Sequence, residues 1–347
     1  MKERNPVKVG IVGCGRAGLN MHWGDLKSRT NKFQIVAAHD CIKARREKMA
    51  EETGCKACAS FEAMIHDPEV ELVVIASNTL DHVPQAVAAL RLGKDVFLEK
   101  PIGKDLAEAR KLMRAAEKTP GKLYVRHNRR FEPAFVHARE IIDSGILGDV
   151  HEIQLNRVGY QRRNDWQTLK ECAGGQLLNW GPHLVDHALQ FLESPVKELW
   201  SDLKQVAAAG DAEDHVRIIF KGENGRVVEV EISGGGALPR PVYAIAGSKG
   251  GLVTWDEQTF ELKYLDPKVK LKPVRARKKP PALDAVAEEL KWVTRKIKVR
   301  PKKKIDTDHI WDCLYDSIRR GKPFPITNEQ SLAVMEVIQK IKKGTEF

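Results

Sequence analysis

The segment Gly13-Cys14-Gly15-Arg16-Ala17-Gly18 constrains this chain more than any other. It follows the uninterrupted apolar run Val7 to Val12 and opens a helix-type stretch, and 22 residues after Gly18 comes Asp40, at the end of a second apolar run. A glycine pattern alone carries little weight, but between a strand and a helix it has a mechanical meaning. Gly13 permits a tight turn, Gly15 lets the backbone approach a pyrophosphate, and Gly18 lets helix pack closely on strand. The first N–H groups of the helix then point at an anion. This predicts a dinucleotide site, with Gly13, Gly15, Arg16, Ala17 and Gly18 at the phosphates and Asp40 on the ribose hydroxyls. Asp40 would repel a 2′-phosphate, which favours NAD; Lys43, Arg45 and Arg46 follow closely and leave NADP open.

Around this turn, short β-branched runs alternate with helical periods: Val7 to Val12, Gln34 to Ala38, Leu72 to Ala76, Val96 to Glu99 and Leu123 to Arg126, with helical stretches such as Pro84 to Leu92 and Leu106 to Glu117 between them. Apolar strands without alternation are covered on both faces, so residues 1–127 are expected to form a Rossmann-type, doubly wound parallel sheet. The pattern then changes. After a helical stretch from Glu132 to Asp143, strand-like runs dominate from Glu152 to Leu265, with Asn224-Gly225 as a hairpin signal between two of them. Residues 128–347 are therefore expected to form an α+β domain with a large, mostly antiparallel open sheet. Three late helices are expected near Leu283 to Lys296, Thr307 to Arg319 and Asn328 to Lys342. The last opens with a capping-box pattern at Thr327-Asn328-Glu329-Gln330 and is a candidate to pack back on the first domain.

A length of 347 residues suits two domains, and 42% hydrophobic with 30% charged residues excludes a disordered or fibrous chain. The net charge of +11 raises the question of nucleic acid. It is concentrated in one place: Lys268 to Lys304 holds 15 Lys and Arg against Asp284, Glu288 and Glu289, a balance of +12 that leaves the other 310 residues at −1. Trp292 is the lone aromatic there, too few for a single-strand binder, so solvated faces are favoured over an acidic substrate, partner or nucleic acid. No apolar run is long enough to cross a bilayer, and the start of the chain has no export signal, so a cytoplasmic protein is expected. The 6 irregularly spaced cysteines read as reduced thiols. Cys55-Lys56-Ala57-Cys58 lacks the further ligands a zinc site needs, and no metal is expected.

Four further segments point one way. Ala76-Ser77-Asn78-Thr79-Leu80-Asp81-His82, Glu99-Lys100-Pro101 and Asn128-Arg129-Arg130-Phe131-Glu132-Pro133 follow strands of the first domain. Gly174-Gly175-Gln176-Leu177-Leu178-Asn179-Trp180-Gly181-Pro182-His183-Leu184-Val185-Asp186 lies in the second. Together with the phosphate turn these resemble the glucose-fructose oxidoreductase and inositol dehydrogenase (Gfo/Idh/MocA) family over nearly the whole chain. The resemblance implies a nicotinamide-dependent oxidoreductase acting on a sugar or cyclic polyol, a homodimer or homotetramer formed through the second sheet, and cofactor contacts from Ser77, Asn78, His82, Glu99, Lys100 and Asn128. It also implies that Lys100 and His183 are catalytic: His183 takes the hydroxyl proton while Lys100 stabilises the developing oxyanion.

The polar positions His183, Asp186, His187 and Gln190 follow a helical stripe, so they also fit a solvated helix face. Well-known dehydrogenases of the family carry Asp four residues before this histidine; here the position is Asn179, expected with Lys100 and His183 in the catalytic and substrate-binding set, where it can hydrogen-bond substrate or nicotinamide but holds no charge. Asp165 is the candidate replacement carboxylate, with Arg163 and Trp166 as candidate sugar contacts. The alternative to an enzyme is a dinucleotide-binding regulator or scaffold of sugar metabolism that does not turn substrate over.

Overall fold

The computed structural model describes residues 5–271, 273 and 288–347. Six strands, β1 (Val7–Val12), β2 (Phe33–His39), β3 (Lys56–Ala57), β4 (Leu72–Ile75), β5 (Asp95–Leu98) and β6 (Leu123–Val125), form an all-parallel sheet in the order β3-β2-β1-β4-β5-β6. The order reverses between β1 and β4, which opens a crevice at their C-terminal ends, where such sheets bind ligand. The continuous apolar runs have the expected cause. Successive residues of a strand point to opposite faces, and both faces are covered: Leu72 and Val74 join one buried cluster, Val73 and Ile75 the other.

The second sheet comprises β7 (Val150–Val158), β8 (Val196–Lys204), β9 (His215–Gly222), β10 (Val227–Ser233), β11 (Tyr243–Gly247), β12 (Gly250–Thr254), β13 (Thr259–Leu265) and β14 (Trp292–Lys298), ordered β14-β13-β12-β11-β7-β10-β9-β8. It is antiparallel except where β7 and β10 pair in parallel at its centre. The Asn224-Gly225 turn joins β9 to β10, with Gly225 at φ +83°.

Two expectations change. Of the helix expected over Leu283 to Lys296, residues 283–287 lie outside the described residues, and Trp292–Lys298 is instead the edge strand paired antiparallel with β13. Val293, Thr294 and Ile297 suit a pleated strand, and the lysines and arginine between them keep an exposed edge from pairing further. Lys291 and Lys296 reach Asp266 and Glu261, each at 3.5 Å.

The division at residue 127 is also crossed in space. The helix His309–Arg320 places Ile310, Trp311 and Leu314 in the same apolar cluster as Val7, Phe33 and Phe97 of the first sheet. Arg29 ties this helix down through Asp308 at 3.0 Å and Asp312 at 3.1 Å. The last helix, Asn328–Lys342, opens with the Thr327–Gln330 capping box and lies against both Leu106–Lys118 and Gly181–Leu192. Its Glu336 pairs with Arg110 at 3.1 Å.

Candidate functional site

At the phosphate turn the three glycines have unlike surroundings. A Cβ on Gly13 (φ +87°) would sit 2.4 Å from the Ala76 carbonyl oxygen, and one on Gly18 would sit 2.0 Å from that of Gly13. Those two positions are closed by the protein's own backbone. A Cβ on Gly15 would meet only Arg45 Nη1, at 3.7 Å. The space above Gly15 is thus open, as a cradle for a pyrophosphate requires. A π-helical stretch, Arg16–Trp23, leads away from it, with Arg16 and Ala17 in its first turn. Asp40 is buried, and its two carboxylate oxygens accept the Cys14 and Ile42 N–H groups, each at 2.8 Å. The residues present fit the group the turn implies: the open face of Gly15 and the helix start at Arg16 and Ala17 could hold a diphosphate, and Arg45 borders the same space. Ser77 donates to Gln85 at 2.7 Å, Asn78 starts the Thr79–Arg91 helix without capping it through its side chain, and Asn128 is buried in a short helical turn.

Two of the expected cofactor contacts have other work. The ring nitrogens of His82 face the carbonyl oxygens of Pro101 at 2.8 Å and Ser77 at 3.2 Å, so this buried ring ties one loop to the next. Glu99 points into the protein. Its Oε1 lies 3.0 Å from Arg126 Nη1 and 3.2 Å from His22 Nε2, while Arg126 also reaches Asp25 at 2.9 Å and the Trp311 indole donates to Asp25 at 3.2 Å. Burial alone would raise the Glu99 carboxyl, but Arg126 and His22 overrule it and hold it well below the usual carboxylate range. For both residues the sequence identified the neighbourhood and not the direction of the side chain.

Lys100, the next residue, turns the other way. Its Nζ donates to the backbone carbonyl oxygen of Asn179 at 2.9 Å, across the two domains. Burial, partly countered by Glu99 and reinforced by Arg129, Arg126 and Arg16, pushes its ammonium down to about 8. Because the contact is to a backbone oxygen, it is indifferent to Asn or Asp at position 179. The Asn179 side chain borders a small cleft with Gln161, Arg163, Gln167, Gln176 and Glu213.

His183, Asp186 and His187 are all buried, which overturns the solvated-face reading of their stripe. Asp186 is held by Arg130, whose Nε donates to it at 2.7 Å, and His187 Nε2 faces the Arg129 carbonyl oxygen at 2.9 Å. Burial first, then the charges of Lys100 and Arg129, keep His183 well below its ordinary range, so its imidazole is neutral. Asp165 is engaged locally. It caps the short turn Trp166–Thr168 by accepting from the Gln167 N–H at 2.9 Å and pairs with Arg163 at 2.6 Å. Trp166 is part-exposed beside it.

Sequence reasoning missed the wall beside His183. Trp180 packs edge-on against that ring at 6.2 Å, and two guanidinium groups lie over its indole, Arg129 at 4.3 Å and Arg157 at 5.2 Å. Arg129 stood inside a quoted segment. Arg157, near the end of a strand, gave no signal of its own. His127 is buried in the same region with neither ring nitrogen hydrogen-bonded among the described residues.

The reversal of strand order, the open cradle and a half-buried lysine at a parallel strand's end define a dinucleotide-binding protein. Residues 7–127 match the family model described as "Oxidoreductase family, NAD-binding Rossmann fold", and residues 135–253 match the "GFO/IDH/MocA C-terminal domain". The chain belongs to the GFO/IDH/MocA family, and its first domain is that family's NAD-binding Rossmann domain. It is 24% identical to the scyllo-inositol 2-dehydrogenase (NADP(+)) IolW of Bacillus subtilis, over 99% of this chain and 95% of that protein. An uncharacterized oxidoreductase of Schizosaccharomyces pombe is 31% identical over 55% of this chain, a match that spans only 53% of that relative. Among solved structures, an NAD-binding protein from Listeria innocua shares the fold with a TM-score of 0.82, at 24% identity over 98% of this chain and 95% of that one. Among the described residues no helix is long and apolar enough to cross a membrane, and no group of three His, Cys, Asp or Glu side chains could hold a metal ion.

Proposed function

We propose that this oxidoreductase interconverts a secondary alcohol and a ketone on a sugar or cyclic polyol ring, with Lys100 and His183 as its catalytic residues. The observation that supports this reading is a half-buried Lys100, anchored on the Asn179 carbonyl oxygen, in the same charge environment as a buried, neutral His183 four residues on from that anchor. A neutral imidazole can take the proton of a hydroxyl, and an ammonium beside it favours the oxyanion that develops as the proton leaves. NAD, when bound, accepts or returns the hydride. The protein orients the alcohol, keeps water away from it and moves its proton. The relative named for scyllo-inositol, a ring bearing hydroxyls, supports the substrate class.

The Lys100–Asn179 contact gives this reading a domain-level corollary: the lysine on the nucleotide domain is aimed by the second domain's backbone. The outer surface of the eight-stranded sheet is proposed as the surface through which copies of the chain pair, which light scattering on a purified sample tests. The catalytic reading is tested by following NADH formation with free inositols, glucose, galactose and gluconolactone. Lys100→Met and His183→Ala should each lower turnover about a hundredfold, roughly 2.7 kcal/mol of barrier, while nucleotide still binds. Unchanged turnover in both variants would refute the assignment, and nucleotide binding with no oxidation of any ring would favour a non-catalytic regulator.

A further inference from the structure

We propose that the ring substrate carries a carboxylate, held by the paired guanidinium groups of Arg129 and Arg157 beside Trp180. This rests on the reading that Lys100 and His183 face the reacting alcohol. Arg129 and Arg157 lie over one indole ring, and that ring packs against His183, so both cations stand one side chain away from the proposed base.

Holding two like charges over one ring costs energy unless counter-charges are at hand, and those present are shared. Glu132 contacts Arg129 through one oxygen and lies 3.7 Å from Arg157 through the other; Glu257 meets Arg157 at 2.7 Å. Among the described residues Arg129 is hydrogen-bonded through Nη1 alone, leaving Nε and Nη2 as unspent donors. Lys100 adds a third cation whose hydrogen bond goes to a carbonyl oxygen. The residues that could have offset it, Asn179 and His183, are uncharged, and the carboxylate next in sequence, Glu99, is turned away onto Arg126 and His22.

Among the described residues two buried acceptors here, Glu132 Oε2 and the Tyr243 hydroxyl, also lack a hydrogen-bond partner, but both stand close to Arg157; the donors left without a partner are Nε and Nη2 of Arg129. A hydroxyl offers such donors one oxygen, whereas a carboxylate offers two in the plane a guanidinium fork matches. Burial first, then the neighbouring Arg157, partly countered by Glu257, pushes the Arg129 guanidinium down to about 10.

The test compares matched rings on the full-length protein: glucose against glucuronate and galactose against galacturonate, with glucose 6-phosphate to separate carboxylate from phosphate. Two readouts are taken, the change in fluorescence of the protein–NADH complex on adding each sugar, and kcat/KM for NADH formation. The acid of each pair should be favoured by about tenfold or more, the scale of one charge-assisted hydrogen bond. The preference should shrink as salt is raised, which requires no variant. Arg129→Gln and Arg157→Gln should bring it towards unity, and Arg157→Lys should restore part of it. Neutral sugars bound and oxidised as well as the acids would overturn the carboxylate and leave the sugar reading standing. Glucose 6-phosphate favoured over glucuronate would overturn the carboxylate assignment too. Neither binding nor oxidation with any ring would overturn both readings.

Discussion

Glu99 and Lys100 are neighbours in sequence and belong to opposite kinds of environment. Below the C-terminal end of β5, Glu99 closes a network with His22, Arg126, Asp25 and Trp311. Above it, Lys100 spends one hydrogen bond on a carbonyl oxygen and shares its surroundings with Arg129 and His183. The lower cluster is charge-paired and structural. The upper one keeps charge and donors in reserve, which is what a site needs in order to respond to a ligand.

The sharpest way to break this comparison is to damage the closed side. A Cβ on Gly18 would collide with backbone at 2.0 Å, so Gly18→Ala should prevent stable folding of the first domain, read by loss of soluble, cooperatively unfolding protein. Glu99→Ala leaves Arg126 buried against Asp25 alone and should cost about 3–5 kcal/mol in chemical denaturation, the typical cost of breaking a buried pair. On the open side Lys100→Met should instead reduce turnover about a hundredfold and preserve the folded state. If Glu99→Ala unfolded like the parent protein, the division into structural and reactive halves would be wrong.

Smaller effects sharpen it. Gly15→Ala has room to fold, yet its methyl group occupies the open cradle, so NAD affinity should fall about tenfold with little change in Tm. An NAD affinity equal to the parent's would place the diphosphate elsewhere.

Titration separates the two sides further. The buried imidazoles of His22, His82, His127, His183 and His187 are all held below their ordinary range chiefly by burial, His187 down to about 3. As pH falls below about 6.5 the unfolded chain takes up protons that the folded chain refuses, so Tm should drop steeply between pH 6.5 and 4. Lys100 acts in the alkaline window: the folded state releases its proton near 8 while the unfolded chain holds it to about 10.4. Stability contributed at this site therefore rises with pH across that window, and the difference in Tm between Lys100→Met and the parent should narrow there. A constant difference would place Lys100 in water.

The doubly wound sheet, the phosphate turn, the open second sheet and the positions of Lys100 and His183 were legible because each rests on local pattern: strand runs buried on two faces, glycines at fixed spacing, a helix-start histidine. The direction of Glu99, the inward turn of His82 and the capping role of Asp165 were not, because each depends on which partner a side chain meets from a distant element. Arg157 was missed for the same reason. The helix expected over Leu283 to Lys296 failed where β13 offered Trp292–Lys298 a partner strand, a long-range pairing that local propensity does not see.

By itself, then, the sequence determined the nucleotide fold and the family and singled out Lys100 and His183 as candidates, since these follow from short-range pattern. Only the tertiary structure decided their charge states and partners. Burial and the summed field of Arg129, Arg126 and Arg16 bring the Lys100 ammonium down to about 8, and its hydrogen bond to the Asn179 carbonyl oxygen forms only when the two domains meet.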